Sequence, residues 1–203
     1  MGRGRFITFE GTEGAGKSTL IRQVAAELKR RSMKVTVTRE PGGSPVAESI
    51  RALILKEAMD PWAELFLYEA ARAEHLARTI RPALGQGHWV LCDRYADSSL
   101  AYQAHARGLP WKAVRELNQA ATQGLQPDVT FLIDIDPRIG LRRAKDRNRF
   151  EAEGLAFQQR VRLGFLKARR EEPRRWTVLR PGQDTPVELG RRVIADLSAR
   201  RMV

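Results

Sequence analysis

The sequence predicts an α/β fold in which a central parallel sheet of about five strands lies between two layers of helices. Short strand-like segments alternate with helical-period segments along the whole chain, and a glycine-rich loop joins the first strand to the first helix. Strands separated by helices imply parallel pairing through right-handed crossovers, which puts helices on both faces. No internal repeat, low-complexity stretch or linker interrupts the pattern, so residues 1–203 read as one domain.

Phe6 to Glu10 is the first strand and ends at Gly11. From Lys17 to Arg31 the apolar residues Leu20, Val24 and Leu28 fall every fourth position, one face of a helix. Lys34 to Arg39 alternates valine and threonine, which suits a second strand, and Pro41-Gly42-Gly43 stops it. Ser44 is an N-cap candidate with Pro45 in the tolerated first position of the next helix. Residues 61–80 predict a helix with Trp62, Leu65, Phe66, Ala73, Leu76 and Ile80 on one side. Trp89-Val90-Leu91-Cys92 is a fully apolar third strand closed by Asp93. A helix near 111–123 leads through Pro127 to a strand over Val129 to Ile135. Asp136-Pro137 opens a basic helix. A long helix at about 155–172, a strand at Thr177 to Leu179 and a helix from about 186 complete the chain.

Composition narrows the classes. No apolar run approaches the roughly 18 residues of a membrane span, and the start of the chain lacks the long apolar region and small-residue cleavage site of a secretory signal. The one cysteine, Cys92, excludes an internal disulfide framework. A cytoplasmic location is expected, with no membrane partner. The net charge of +12 would attract any polyanion. No nucleic-acid module accompanies it and aromatic residues are few, so no nucleic-acid partner is expected, although the charge alone does not decide this.

Gly11-Thr12-Glu13-Gly14-Ala15-Gly16-Lys17-Ser18 fits G-x-x-x-x-G-K-[ST], followed by Thr19. The glycines let successive N–H groups turn inward around anionic oxygens, and the following helix adds its positive end. Lys17 would reach terminal phosphates and Ser18 would ligate Mg2+. At ordinary glycine usage a chance match is on the order of 1%, and the strand before the loop and the helix after it lower that further. The loop names a nucleoside triphosphate and leaves the acceptor open. The Asn-Lys-x-Asp motif of GTP switches does not occur.

Arginines follow the apolar strands: Arg39 ends the second, and Asp93-Arg94 ends the third. In an open parallel sheet those ends face the ligand crevice. An acceptor that is itself a phosphate is largely ionised at neutral pH. It therefore needs cations between donor and acceptor more than a strong base. His75, His88 and His105 do not have metal-ligand spacing and read as structural, and Cys92 reads as a small core residue.

The chain resembles the thymidylate kinase family in Phe9-Glu10-Gly11, Thr38-Arg39-Glu40-Pro41-Gly42-Gly43, Arg72 and Asp93-Arg94-Tyr95. The resemblance continues in Asp97-Ser98-Ser99-Leu100-Ala101-Tyr102-Gln103 and Pro127 to Asp134. These motifs stand in family order and cover most of the chain. The resemblance implies a phosphate-loop fold of the nucleoside-monophosphate-kinase type, ATP and dTMP as partners, Mg2+ as cofactor and a homodimer. It implies that Arg39 and Arg94 clamp the acceptor phosphate, that Asp93 supports Mg2+, and that Glu13 approaches the deoxyribose 3′-hydroxyl. Pro41 would shape the nucleotide pocket as a turn proline that is often cis in the family.

Tyr68 and Arg72 are four apart and share a helix face. An aromatic plate beside a donor-only guanidinium suits a thymine ring with its O4 carbonyl better than cytosine with its 4-amino group. Ser99 matches a base-contacting position and Tyr102 one beside the sugar, with Gln103 a further candidate. A related kinase of deoxynucleosides or of another monophosphate is the alternative.

In the family's bacterial form a mobile lid supplies a catalytic arginine. Here the lid would span about 138–151, with Arg142, Arg143, Lys145, Arg147 and Arg149 as its cations, and Arg147 or Arg149 would stabilise the transferring phosphoryl group. Two departures stand out. Asn148 precedes Arg149 where the family often has Asp, and Glu69 replaces an apolar or aromatic residue, where it would alter the pocket edge or face water.

Overall fold

The computed structural model describes residues 4–143 and 153–203. Five parallel strands make one sheet: β1 (Arg5–Glu10), β2 (Val35–Arg39), β3 (Trp89–Asp93), β4 (Val129–Ile133) and β5 (Trp176–Leu179), in the spatial order β2-β3-β1-β4-β5. β1 is central and buried on both faces. Its Ile7 and Phe9 point to one layer and its Phe6 to the other, and all three are buried.

On the first face α1 (Lys17–Arg30) packs through Leu20, Ile21, Val24 and Leu28. Beside it lies the C-terminal helix (Pro186–Ala199), which carries Leu189, Val193 and Leu197. That helix starts in a full capping box, with Thr185 Oγ1 accepting from the Glu188 N–H and Glu188 Oε2 accepting from the Thr185 N–H. On the second face lie α3 (Pro61–His75), which continues through a π-helical turn, Leu76–Ile80, into α4 (Arg81–Gly85), and α5 (Ala96–Ser99), which continues through a π-helical segment, Leu100–Ala106. α6 (Trp111–Thr122) and the long helix α8 (Gly154–Glu171) complete that layer. α2 (Pro45–Lys56) packs on α3, and α7 (Pro137–Arg143) follows β4. The C-terminal helix is thus α9.

Two expectations change. Trp62 and Phe66 do not join the buried side of α3. They are 37% and 53% exposed, with ring centroids 6.0 Å apart, while Leu65, Leu76 and Ile80 are buried. The helix from Ala96, with its π-helical continuation, carried no periodic signal because its residues are buried nearly all round, polar ones included.

Candidate active site

The carboxyl ends of β1, β3 and β2 converge on a cleft of about 640 Å3 lined by the glycine-rich loop, Arg39, Asp93 and Arg94. Adjacent strands dictate this meeting. Phe9 and Arg39 both register with Asp93. The Arg94 N–H bonds to the Phe9 carbonyl at 3.0 Å and the Glu40 N–H to the Asp93 carbonyl at 2.9 Å.

In the loop, Gly11, Gly14 and Gly16 all take positive φ. At Gly14 the need is also steric, since a Cβ there would collide with the Gly140 carbonyl, and one at Gly140 would strike the Glu13 carbonyl. The phosphate loop and α7 therefore meet backbone to backbone. Lys17 is buried and donates to the Gly11 and Thr12 carbonyls at 3.2 and 3.1 Å. Burial and then Arg94 lower its pKa, while Asp93 and Glu13 oppose them. Ser18 Oγ donates to Asp93 Oδ2 at 2.7 Å. Ala15 and Gly16 line the cleft with Thr19.

Arg94 sits at φ 71°, a left-handed conformation uncommon outside glycine. Its guanidinium donates to the Gly11 carbonyl at 2.9 Å and to Glu13 Oε1 at 2.7 Å, and the Tyr102 hydroxyl donates to the same Glu13 oxygen at 3.1 Å. Burial pushes the Glu13 carboxyl up, but Arg94 and Lys17 outweigh it and its pKa is lowered. Beneath this group Glu10, fully buried, accepts from the Tyr95 N–H at 2.8 Å and the Ser98 hydroxyl at 2.7 Å. Glu10 thereby fixes the turn that carries Arg94. Burial, with Asp97 adding to it, pushes the Glu10 pKa up to about 8.

A narrower recess adjoins the cleft, lined by Glu13, Pro41, Tyr68, Ser99, Tyr102 and Gln103 among others. The Glu40–Pro41 peptide is cis. Arg39, half-exposed, pairs with Glu48 at 2.9 Å. Arg72 is 1% exposed and stands behind the recess rather than in its lining. Its Nε donates to Glu40, its Nη1 to Glu69 and Asn118, and its Nη2 to the Tyr95 carbonyl. One Nη2 hydrogen is left without a partner among the described residues. His75 is structural, bonded to Glu40 at 3.2 Å and to Thr38 at 2.6 Å. Glu69 does not face water, being buried against Arg72.

Arg51 was missed in the sequence. It lines both the cleft and the recess and donates to the Pro41 carbonyl at 2.8 Å. Its spacing held the signal: Ala47, Arg51 and Leu55 form one i, i+4 row on α2, so an arginine falls on the inward side. Arg142 and Arg143 are both exposed, and of the two only Arg143 lines the cleft. Lys145, Arg147 and Arg149, with most of the expected lid, lie outside the described residues.

A phosphate loop facing a second set of cations across a shared cleft defines a nucleotide kinase of the phosphate-loop class. The family model for thymidylate kinase matches residues 9–187. The thymidylate kinase of Magnetococcus marinus is 47% identical over 194 residues, covering 92% of this chain and 91% of its own. That of Deinococcus radiodurans is 46% identical over 197 residues, covering 93% and 96%. The crystal structure of thymidylate kinase from Ehrlichia chaffeensis superposes with a TM-score of 0.79 at 33% identity, over 97% of this chain and 99% of that one. The chain belongs to the thymidylate kinase family.

Proposed function

We propose that the enzyme transfers the γ-phosphoryl group of ATP to dTMP, giving dTDP and ADP, a step toward dTTP. The observation that carries this is the meeting of Lys17, Arg94 and Glu13 where the cleft opens into the Tyr68 recess. A dTMP phosphate oxygen attacks the γ-phosphorus, and the bond from that phosphorus to the β-bridging oxygen breaks. Lys17 neutralises charge on the donor side, and Arg94, Arg39 and Arg51 do so on the acceptor side. Arg94 leaves the Glu13 carboxylate for the incoming phosphate, freeing Glu13 to accept from the 3′-hydroxyl. The base enters beside Tyr68 and Pro41, with Ser99 and Gln103 at its edge and the uncommitted Arg72 N–H behind them. Tyr102 occupies the space a 2′-hydroxyl would need.

Ser18 and Asp93 suit Mg2+, a hard cation that takes a few oxygen ligands from protein and completes its shell with water and phosphate. When bound it would neutralise the triphosphate. The whole chain would act as one kinase domain whose lid segment, about 138–151, brings Arg147 or Arg149 over the donor. No helix among the described residues is long and apolar enough to cross a membrane. A cytoplasmic homodimer fits the buried free thiol of Cys92 and the exposed apolar side chains Leu53, Trp62 and Phe66 on neighbouring α2 and α3.

The test is ADP release measured over a panel of nucleoside monophosphates with ATP and Mg2+. Preference for dTMP is expected, and a clear preference for any other acceptor overturns the substrate assignment.

A further inference from the structure

One layer behind the recess, two buried polar atoms lack partners. Glu69 follows Tyr68 on α3. Its Oε1 accepts from Arg72 Nη1 at 2.7 Å, while its Oε2 is buried without a hydrogen bond. Ser99 Oγ, on a residue 1% exposed that lines the recess, is likewise buried without one. The two are neighbours: burial raises the Glu69 pKa, Arg72 opposes it, and the Ser99 hydroxyl also lowers it as a hydrogen-bonding group. Buried polar atoms left unmet are costly, and a bond from the Ser99 hydroxyl to Glu69 Oε2 would satisfy both at once.

We infer that Glu69 is a positioning residue that sets the direction of the Ser99 O–H, and through it the choice between thymine and cytosine. This rests on the recess being the dTMP base site. A serine hydroxyl donates once and accepts twice, whereas an ionised carboxylate only accepts. Arg72 occupies Oε1, so when dTMP fills the recess the Ser99 hydroxyl closes onto the still-open Oε2, and the Ser99 lone pairs face the base. Thymine presents an N–H at N3 and meets an acceptor there. Cytosine presents a lone pair at N3 and meets another lone pair. Glu69 never touches the nucleotide.

The decisive variant is Glu69→Gln. Arg72 offers only donors, so it holds the amide oxygen and turns the NH2 toward Ser99. The hydroxyl must then accept from the amide and point its hydrogen into the recess. The ratio of kcat/KM for dTMP to that for dCMP should fall at least about 10-fold, mainly through KM for dTMP, with KM for ATP unchanged. In a Ser99→Ala background Glu69→Gln should change that ratio by less than about 2-fold, because the two side chains act as one unit. Ser99→Ala alone should also lower it, which keeps the test open should Glu69→Gln fold poorly. An unchanged ratio in folded Glu69→Gln or in Ser99→Ala overturns the inference, as does a full Glu69→Gln effect without the serine hydroxyl. A wild-type enzyme without preference for dTMP over dCMP overturns the base-site assignment itself, and that is read before any variant is made.

Discussion

Lys17 donates to two carbonyls of its own loop, so its ammonium is held in the cleft before any nucleotide binds. In the proposed reaction it would supply a fixed positive charge where negative charge moves between two nucleotides. Lys17→Ala should lower kcat by about 1,000-fold or more in the coupled assay, and a rate within about 10-fold of wild type would remove the loop lysine from the mechanism. Tyr68 would act differently: it lines the recess proposed for the acceptor's base, away from the moving phosphoryl group. Tyr68→Ala should raise KM for dTMP about 10-fold or more while leaving KM for ATP alone. Equal changes in both constants would place Tyr68 outside the base site. Tyr68 was legible because Arg72, four residues on, shares its helix face. Arg51 was not, because it has no motif of its own and gains its place from a helix row and the Pro41 carbonyl.

At the scale of an element, the turn after β3 is held from below. Glu10 ends β1 and its carboxyl group accepts from Tyr95 and Ser98, so one strand secures the left-handed Arg94 that the neighbouring strand β3 presents. The Glu10 pKa is pushed up to about 8 by burial, above the ordinary value of 4.5. The folded protein therefore binds a proton that the unfolded chain gives up above pH 4.5. The stability linked to Glu10 is fully present below that pH and is lost as pH rises through about 8. In thermal melts from pH 5 to 9, wild type should lose stability relative to Glu10→Gln across this window. Parallel Tm profiles would show that Glu10 titrates normally. The order and type of most elements were legible from periodicity and caps, with Ser44 and Pro45 opening α2 as expected. The helix that carries Ser99, Tyr102 and Gln103 was not, since a segment buried on every side has no amphipathic stripe to read. Its π-helical part falls where side chains line the recess, a frequent place for such irregularities.

For the whole molecule, the exposed apolar group of Leu53, Trp62 and Phe66 sits on the α2–α3 surface. If a second copy covers it, Phe66→Glu should shift sedimentation from dimer to monomer at micromolar protein, and an unchanged dimer would put the contact elsewhere. The sheet order was not readable from sequence, because pairing between distant strands leaves no local trace. That order has a practical consequence. With β3 beside β1, the Arg94 side chain proposed to serve the acceptor rests on the Gly11 carbonyl of the loop proposed to serve the donor. An engineer seeking a new acceptor has no independent handle at the phosphate end, where any edit reaches both nucleotides at once. On the proposed assignment the separable handle would lie at the far end of the recess, on α3 and α5, where a base could be exchanged away from the machinery that moves the phosphoryl group.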